Sequence, residues 1–373
     1  MFSNNKSSIN KLKVALVADW ITNPGGDDKV IWSLHEIFPR APIYTTIYDA
    51  KAMPHYHSCD IRTTYLNKLP LNKRKSQLLV PMMFDALRKF DFSDYDVIIS
   101  SSHTVGKSIN KPAHAIHICY CHTPLRYVWA PEIDDLSKRV KLGALKKPLL
   151  RFLKKKDLES AQSVDYFIAN SRTIADRIKM AYGKSSTVIY PPVDVKKYLP
   201  DKKTVKKDYY FSAGRLIPYK KNDLIIRACQ KLNKKLIIAG TGPELDSLRT
   251  LARGKTKLLG YIEDEKLIQY LQYAKALVFA ADEDFGIVPV EAMAAGTPVV
   301  ALGRGGTKET VVDGKTGILF NDQTVSGLVG AIGKLERNDI KASDCIKQSR
   351  KFDKKIFKEK IIKFVKKVAI GAK

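Results

Sequence analysis

Glu283-Asp284-Phe285-Gly286-Ile287-Val288-Pro289-Val290-Glu291-Ala292-Met293-Ala294-Ala295-Gly296-Thr297-Pro298 reads as a turn from a strand into a helix. The apolar run 276–280 before it is strand-like and ends near Ala281. A helix opens near Val288. Pro289 suits a first helical turn, where its missing N–H costs nothing, and Gly296 followed by Pro298 ends the helix. The peptide N–H groups of Gly286, Ile287 and Val288 would then point outward at the carboxyl end of a strand. In an open α/β sheet that is where anionic ligands bind. Glu291 lies one turn inside, where its carboxylate can accept hydrogen bonds from a ligand diol. A lone glutamate there reads more simply as a solvated helix-start charge; the specificity lies in the whole string.

The same alternation continues outward from this turn. Strand-like runs fall at 209–213, 235–239, 257–259, 297–301 and 317–320, with helical stretches between them. An earlier series falls at 14–18, 43–47, 97–100, 115–121 and 166–169. A polar loop, 19–28, follows the first of these and leads into a helix with Val30, Leu34 and Phe38 spaced four apart. Strands alternating with helices specify parallel, doubly wound sheets. Between the two series stands Tyr190-Pro191-Pro192-Val193-Asp194, followed by Lys-rich sequence to about Asp208. Consecutive prolines continue neither a helix nor a central strand, so an interdomain linker is predicted there. The expected domains are 1–193 and 194–352. A closing helix, about 353–373, is expected to pack back on the first; its apolar positions are 357, 361, 362, 364, 365 and 368.

The chain has 373 residues, enough for two α/β domains, and its 45% apolar content supports real cores. Its net charge is +27, with 49 Lys against 16 Arg spread over both halves. A base-reading protein leans on arginine forks, so this diffuse lysine excess argues against a nucleic-acid partner. It fits either a solvated surface or attraction to an anionic membrane or acidic substrate. The five cysteines form no Cys-x-x-Cys pair and no disulfide framework, which fits a cytoplasmic location. No apolar run is long enough to span a bilayer, and the polar start lacks a signal-peptide core.

Four more strings bring glycines and charges to predicted turns: Ser212-Ala213-Gly214-Arg215-Leu216-Ile217-Pro218-Tyr219-Lys220, Gly240-Thr241-Gly242-Pro243-Glu244, Gly305-Gly306 with Glu309, and Asn23-Pro24-Gly25-Gly26. Together with the spacing of Glu283 and Glu291, they resemble the retaining family-4 glycosyltransferases over most of the chain. Cys119-Tyr120-Cys121-His122-Thr123-Pro124 resembles a subgroup containing mannosyltransferases of surface-polysaccharide synthesis.

The resemblance implies the GT-B fold: two Rossmann-like domains with parallel sheets facing across a cleft, the N-terminal one on the acceptor side and the C-terminal one binding the nucleotide-sugar donor. It implies transfer of a hexose, mannose from GDP-mannose, to a glycan or lipid-linked glycan acceptor in bacterial surface-polysaccharide synthesis. No further cofactor is required. Arg215 and Lys220 would neutralise the donor diphosphate, with Lys221 adjacent as the other candidate. Phe285, Gly286, Ile287 and Val288 would lie at the same phosphates. Glu291 would hold the ribose, Glu283 and His122 the transferred sugar, and Tyr261 and Ile262 the base. Gly25, Gly26, Gly214 and Gly242 would border the donor.

Other readings compete. A UDP-sugar donor or a nucleotide-sugar epimerase shares parts of the pattern. Asp282-Glu283-Asp284 is formally an Asp-x-Asp metal motif, but it precedes a Gly-Ile-Val helix start. His117, Cys119 and Cys121 would share one strand face, with His122 just beyond, as in a zinc site; cysteines are also common core residues. No metal is expected. Finally, 62–92 interleaves Lys68, Lys73, Arg74, Lys75, Arg88 and Lys89 with Leu66, Leu69, Leu71, Leu78, Leu79, Met82, Met83, Phe84 and Leu87. Such a segment suits peripheral contact with the anionic inner face of a membrane, or an amphipathic helix on its own sheet broken by Pro70 and Pro81.

Overall fold

A computed structural model describes residues 12–69, 78–131, 143–201 and 203–369. They fall into two compact units, one drawn from Met1–Pro192 and Phe357–Lys373, the other Val193–Ile356.

The first unit is built on a parallel sheet of seven strands: β1 (Val14–Ala18), β2 (Ile43–Thr45), β3 (Ile61–Thr63), β4 (Val97–Ser102), β5 (Ile116–Cys121), β6 (Tyr166–Ala169) and β7 (Ser186–Val188). Their order is β3-β2-β1-β4-β5-β6-β7. All of β1 and β4 is buried, because helices cover both faces; central strands therefore read as unbroken apolar runs. The edge strands β3 and β7 are short and partly exposed, with the sequences Ile-Arg-Thr and Ser-Thr-Val, and lack the apolar run by which the others were predicted. The helices are α1 (Gly26–Ile37), α2 (Val80–Leu87), α3 (Arg126–Trp129), α4 (Lys146–Gln162) and α5 (Arg172–Tyr182).

The second unit has six parallel strands: β8 (Tyr210–Ala213), β9 (Leu236–Ala239), β10 (Thr256–Gly260), β11 (Ala276–Phe279), β12 (Val299–Leu302) and β13 (Gly317–Phe320), in the order β10-β9-β8-β11-β12-β13. Its helices are α6 (Val195–Tyr198), α7 (Asn222–Lys231), α8 (Leu245–Leu251), α9 (Asp264–Tyr273), α10 (Ile287–Ala294), α11 (Thr307–Thr310), α12 (Val325–Glu336) and α13 (Ala342–Ser349). The last helix, α14 (Lys354–Ala369), belongs from Phe357 onward to the first unit. There Phe357, Ile361 and Val365 share a core with Leu16, Ile43 and Ile99.

The boundary between the two units falls between Pro192 and Val193, inside the stretch read as a linker, but the chain beyond it packs at once. Val193 opens the second unit, and Val193, Val195 and Tyr198 are buried, with α6 packed on α9 and α10. The surrounding lysines hid three apolar residues that anchor the chain as soon as it leaves the two prolines. In 62–92, Leu66, Met83, Phe84 and Leu87 are buried in the first unit's core, whereas Leu78 and Met82 are exposed. Pro70, Leu71, Lys73, Arg74 and Lys75 lie outside the described residues.

Both sheets reverse their strand order once, between β1 and β4 and between β8 and β11. The loops leaving the two central strands diverge there, which opens a crevice at their carboxyl ends.

One buried ion pair holds the loop after β4. Lys107 Nζ lies 2.6 Å from Asp157 on α4, and neither side chain is exposed beyond 1%. Asp157 also accepts hydrogen bonds from Trp129 Nε1 and Tyr182 Oη, both at 2.8 Å. Burial alone would push the Lys107 ammonium down, but Asp157 outweighs it and raises it. Asp157→Ala strands a buried cation and should cost about 3–5 kcal/mol of stability. Replacing both partners, with Lys107→Met and Asp157→Leu, should cost less than that single change, as read from urea unfolding midpoints.

Candidate functional site

In the second unit, the crevice between β8 and β11 is lined by Ser212, Ala213, Gly214, Arg215, Lys220, Asn222, Phe279 and Ala280. Gly214 and Arg215 leave the end of β8, and Lys220 closes the short turn Pro218–Lys220. Lys221 adopts a left-handed conformation, φ 54°, and caps α7. The crevice therefore receives Lys220 rather than Lys221. Lys220 Nζ lies 2.5 Å from Glu283 Oε1, with both side chains about five-sixths buried at 16% and 15% exposure. The same ammonium stands over the Phe279 ring, 5.1 Å from its centroid.

The loop carrying Glu283 is fixed by its backbone. Gly306 N–H donates to the Glu283 carbonyl at 2.7 Å. A Cβ on Gly306 would fall 2.2 Å from Phe285 Cα, so only glycine allows that approach. Phe285 is buried with its ring edge-on to Phe352, centroids 5.6 Å apart. Gly286, at φ 83°, turns the chain into α10, and no side chain caps the helix start. Ile287 and Val288 form its first turn, with their N–H groups among the orphan donors of a helix start.

Glu291 is 2% exposed and accepts a hydrogen bond from Tyr198. Burial, then Glu291, holds the Tyr198 phenol well above its ordinary range. Tyr198 was missed in the sequence because it sits inside the stretch read as linker.

Gly242, Tyr261 and Ile262 do not line this crevice with Arg215 and Lys220. Gly242 follows β9, where its Cβ position faces the Leu216 carbonyl at 2.3 Å; that glycine lets two loops cross. Tyr261 follows β10, is 70% exposed, and donates to Glu263 at 3.3 Å.

In the first unit, Gly25 caps α1 and Gly26 opens it. His122 leaves β5 with Nε2 2.8 Å from Ser101 Oγ, and its carbonyl accepts from Asn170 at 3.0 Å. The crevice between β1 and β4 is lined by Asp19, Trp20, Asn23, Asp27, Asp28 and Ser101, among others. Neither Asp19 nor His103 beside it was singled out in the sequence.

The zinc-like string has another use. Cys119 and Cys121 are buried in a core with Phe167 and Ile174, and His117 Nε2 pairs with Ser100 Oγ at 2.8 Å. Among the described residues, no three His, Cys, Asp or Glu side chains gather to hold a metal ion.

Residues 25–197 match the family described as glycosyltransferase family 4, and residues 196–352 match the one described as glycosyl transferases group 1. The chain belongs to the family-4 glycosyltransferases. A GDP-mannose-dependent alpha-(1-6)-phosphatidylinositol monomannoside mannosyltransferase of Mycolicibacterium smegmatis is 32% identical over 44% of this chain and 51% of its own length. A D-inositol 3-phosphate glycosyltransferase of Mycobacteroides abscessus is 30% identical over 46% of this chain and 44% of its own. The chain thus spans about half the length of these relatives. In fold it resembles Anabaena HepE, solved with UDP and glucose: TM-score 0.73, 21% identity, 95% of this chain and 99% of that one. Two Rossmann-like units with parallel sheets are what the GT-B members of the family possess.

Burial pushes the His117 imidazole down to about 3, outweighing the upward pull of Asp165. The unfolded chain protonates this ring near 6.5, so below that pH unfolding takes up a proton and stability falls. Relative to His117→Gln, the wild type should lose about 2 kcal/mol between pH 7 and pH 5 in urea titrations. Parallel pH dependences would contradict a neutral, buried His117.

Proposed function

We propose that the chain is a retaining mannosyltransferase. It moves mannose from GDP-mannose to a hydroxyl of a glycan or lipid-linked glycan, in bacterial surface-polysaccharide synthesis. The observation that carries the donor site is the convergence of Arg215, Lys220 and Glu283 at the β8/β11 crevice, with the start of α10 following on the same loop. GDP-mannose is supported by the mannosyltransferase relatives and by the Cys-His-Thr-Pro string.

The chemical obstacle is negative charge on the departing diphosphate while the sugar becomes cationic. Arg215 offers a guanidinium fork, Lys220 a point charge, and Gly286, Ile287 and Val288 fixed N–H dipoles. These donors are set before the reaction, so little reorganisation is needed as charge develops. Lys220 and Glu283 pair at the wall of the crevice. Donor binding exchanges partners: Lys220 turns to phosphate, and Glu283 becomes an acceptor for hydroxyls of the transferred sugar. Glu291, held by Tyr198, receives the ribose diol. Tyr261 and Ile262 flank the base, and His122 serves the transferred sugar. The acceptor hydroxyl attacks the anomeric carbon on the face from which the diphosphate departs, the bond to that diphosphate breaks, and one of its oxygens takes the acceptor proton; retention then requires no side-chain nucleophile.

Peripheral contact with an anionic membrane, on the cytoplasmic side, belongs to the same reading. Its support is the lysine excess and the exposed Leu78, Met82, Leu145 and Phe152 of the first unit. No described helix is long and apolar enough to cross a membrane.

Glu291→Ala should weaken GDP-mannose binding by about 1.5–3 kcal/mol in calorimetry, with the fold intact by circular dichroism. Unchanged affinity would remove Glu291 from the ribose. Protein-dependent turnover of GDP-mannose should survive exhaustive chelation, since Arg215, Lys220 and the α10 start supply the counter-charge. Turnover of UDP-sugars alone would refute the mannosyl donor, and loss on chelation restored by manganese would revive Asp282 and Asp284 as metal ligands.

A further inference from the structure

The loop after β4 closes on a single carboxylate. Asp19, at the end of β1, is 2% exposed. Its Oδ2 accepts from the backbone N–H of His103 at 2.6 Å and of Thr104 at 3.1 Å. Its Oδ1 accepts from Val105 N–H at 2.6 Å, from Ser102 Oγ at 3.1 Å, and from Gly106 N–H. His103 Nδ1 lies 2.7 Å from Oδ2. Burial would raise this carboxyl, but His103 and the backbone donors overcome it and hold it far below the usual range. So many donors on one buried carboxylate fix the loop, and with it the plane of the His103 ring.

Nδ1 is committed to Asp19, which leaves Nε2 as the ring atom to meet a ligand. The side chain is 28% exposed. It stands edge-on to Trp20, centroids 4.8 Å apart. Asp27 of α1 comes within 3.8 Å of Nδ1, and the His122 ring after β5 lies 6.4 Å away. Burial alone would push the imidazolium down, but Asp19 and then Asp27 raise it above an ordinary histidine, with Arg126 of α3 opposing. The adjoining crevice carries three carboxylates, Asp19, Asp27 and Asp28, beside the Trp20 ring and the Asn23 amide. Carboxylates with an indole suit the hydroxyls and C–H faces of a neutral sugar. They repel a phosphate.

We propose that His103, oriented by Asp19, binds a hydroxyl of an uncharged acceptor sugar, and that Asp27 excludes phosphorylated acceptors from this crevice. The inference rests on the proposed glycosyltransferase reading: with the donor at the β8/β11 crevice of the second unit, the crevice of the first unit is taken for the acceptor. It separates this chain from its relative named for D-inositol 3-phosphate. Asp19 is a positioning residue that acts through His103.

The test is histidine-ring NMR on the full chain, with the His103 signal among the seven histidines assigned by its loss in His103→Gln. The probes are methyl α-mannoside, methyl α-glucoside, methyl α-galactoside and inorganic phosphate at matched ionic strength. At least one glycoside should shift the His103 signal saturably, and phosphate should not. Asp19→Asn should lower the pH at which the ring titrates and weaken the glycoside response about tenfold or more. Asp27→Asn, a milder change that keeps the loop, should preserve the glycoside response and admit phosphate. Phosphate acting on the wild type, or no glycoside acting at all, overturns the proposal. So does phosphate still excluded by Asp27→Asn. GDP and UDP binding on the same samples reports the donor reading separately. Its failure there, with the His103 result intact, would indict the donor assignment alone.

Discussion

Parallel strands cannot be joined by tight turns; each must be followed by a crossover that carries the chain back along the sheet. That constraint gathers the outgoing loops of both units at the carboxyl ends of their strands. It also produces, in each sheet, one place where neighbouring crossovers go opposite ways. Arg215 and Lys220 stand at that place in the second unit, and Asp19 and Ser101 in the first. Neither crevice needs a special device to exist. The sheet order produces it, and the residues at the strand ends decide what it binds.

Loops at such positions have few strand hydrogen bonds, so they need other anchors. Both units use buried or half-buried charge. Asp19 gathers the N–H groups of 103–106, and Lys107, next along the chain, is drawn inward by Asp157. Between those two carboxylates the loop has little freedom, and His103 is its one part-exposed residue. In the second unit Lys220 and Glu283 hold the loops after β8 and β11 together by their side chains. The first arrangement is deeply buried, with Asp19 2% exposed and Asp157 not at all. The second is a charge pair at a crevice wall, which an incoming anion can break. Rigid placement on one side and exchangeable pairing on the other follow from the same chemistry at different depths.

Much of this was legible in the sequence where local signals and tertiary use agree. The turn from Glu283 to Pro298 carries its own start and stop residues, and the helix it encodes runs Ile287–Ala294. Apolar runs located every central strand. What escaped had physical reasons. β3 and β7 lie at sheet edges, half-exposed, and have no apolar run to announce them. Tyr198 is separated from Glu291 by a whole sheet's worth of chain, and only folding brings its hydroxyl there. Gly242 borders the donor by resemblance, and its lack of a Cβ also lets the chain pass the Leu216 carbonyl, a contact no local signal announces. Asp19 and His103 are far apart in sequence and fall in no recognised string; nothing local reveals a carboxylate with that many donors.

The central claim is that a nucleoside diphosphate is held by the loop after β8 and the start of α10. Amide hydrogen exchange read by mass spectrometry, with and without saturating GDP, tests it without knowledge of the acceptor or the sugar. The account predicts slowed exchange in peptides covering 212–221 and 283–293, with the His103 loop unaffected. Saturating GDP that protects neither segment, or protects only the first unit, would contradict it.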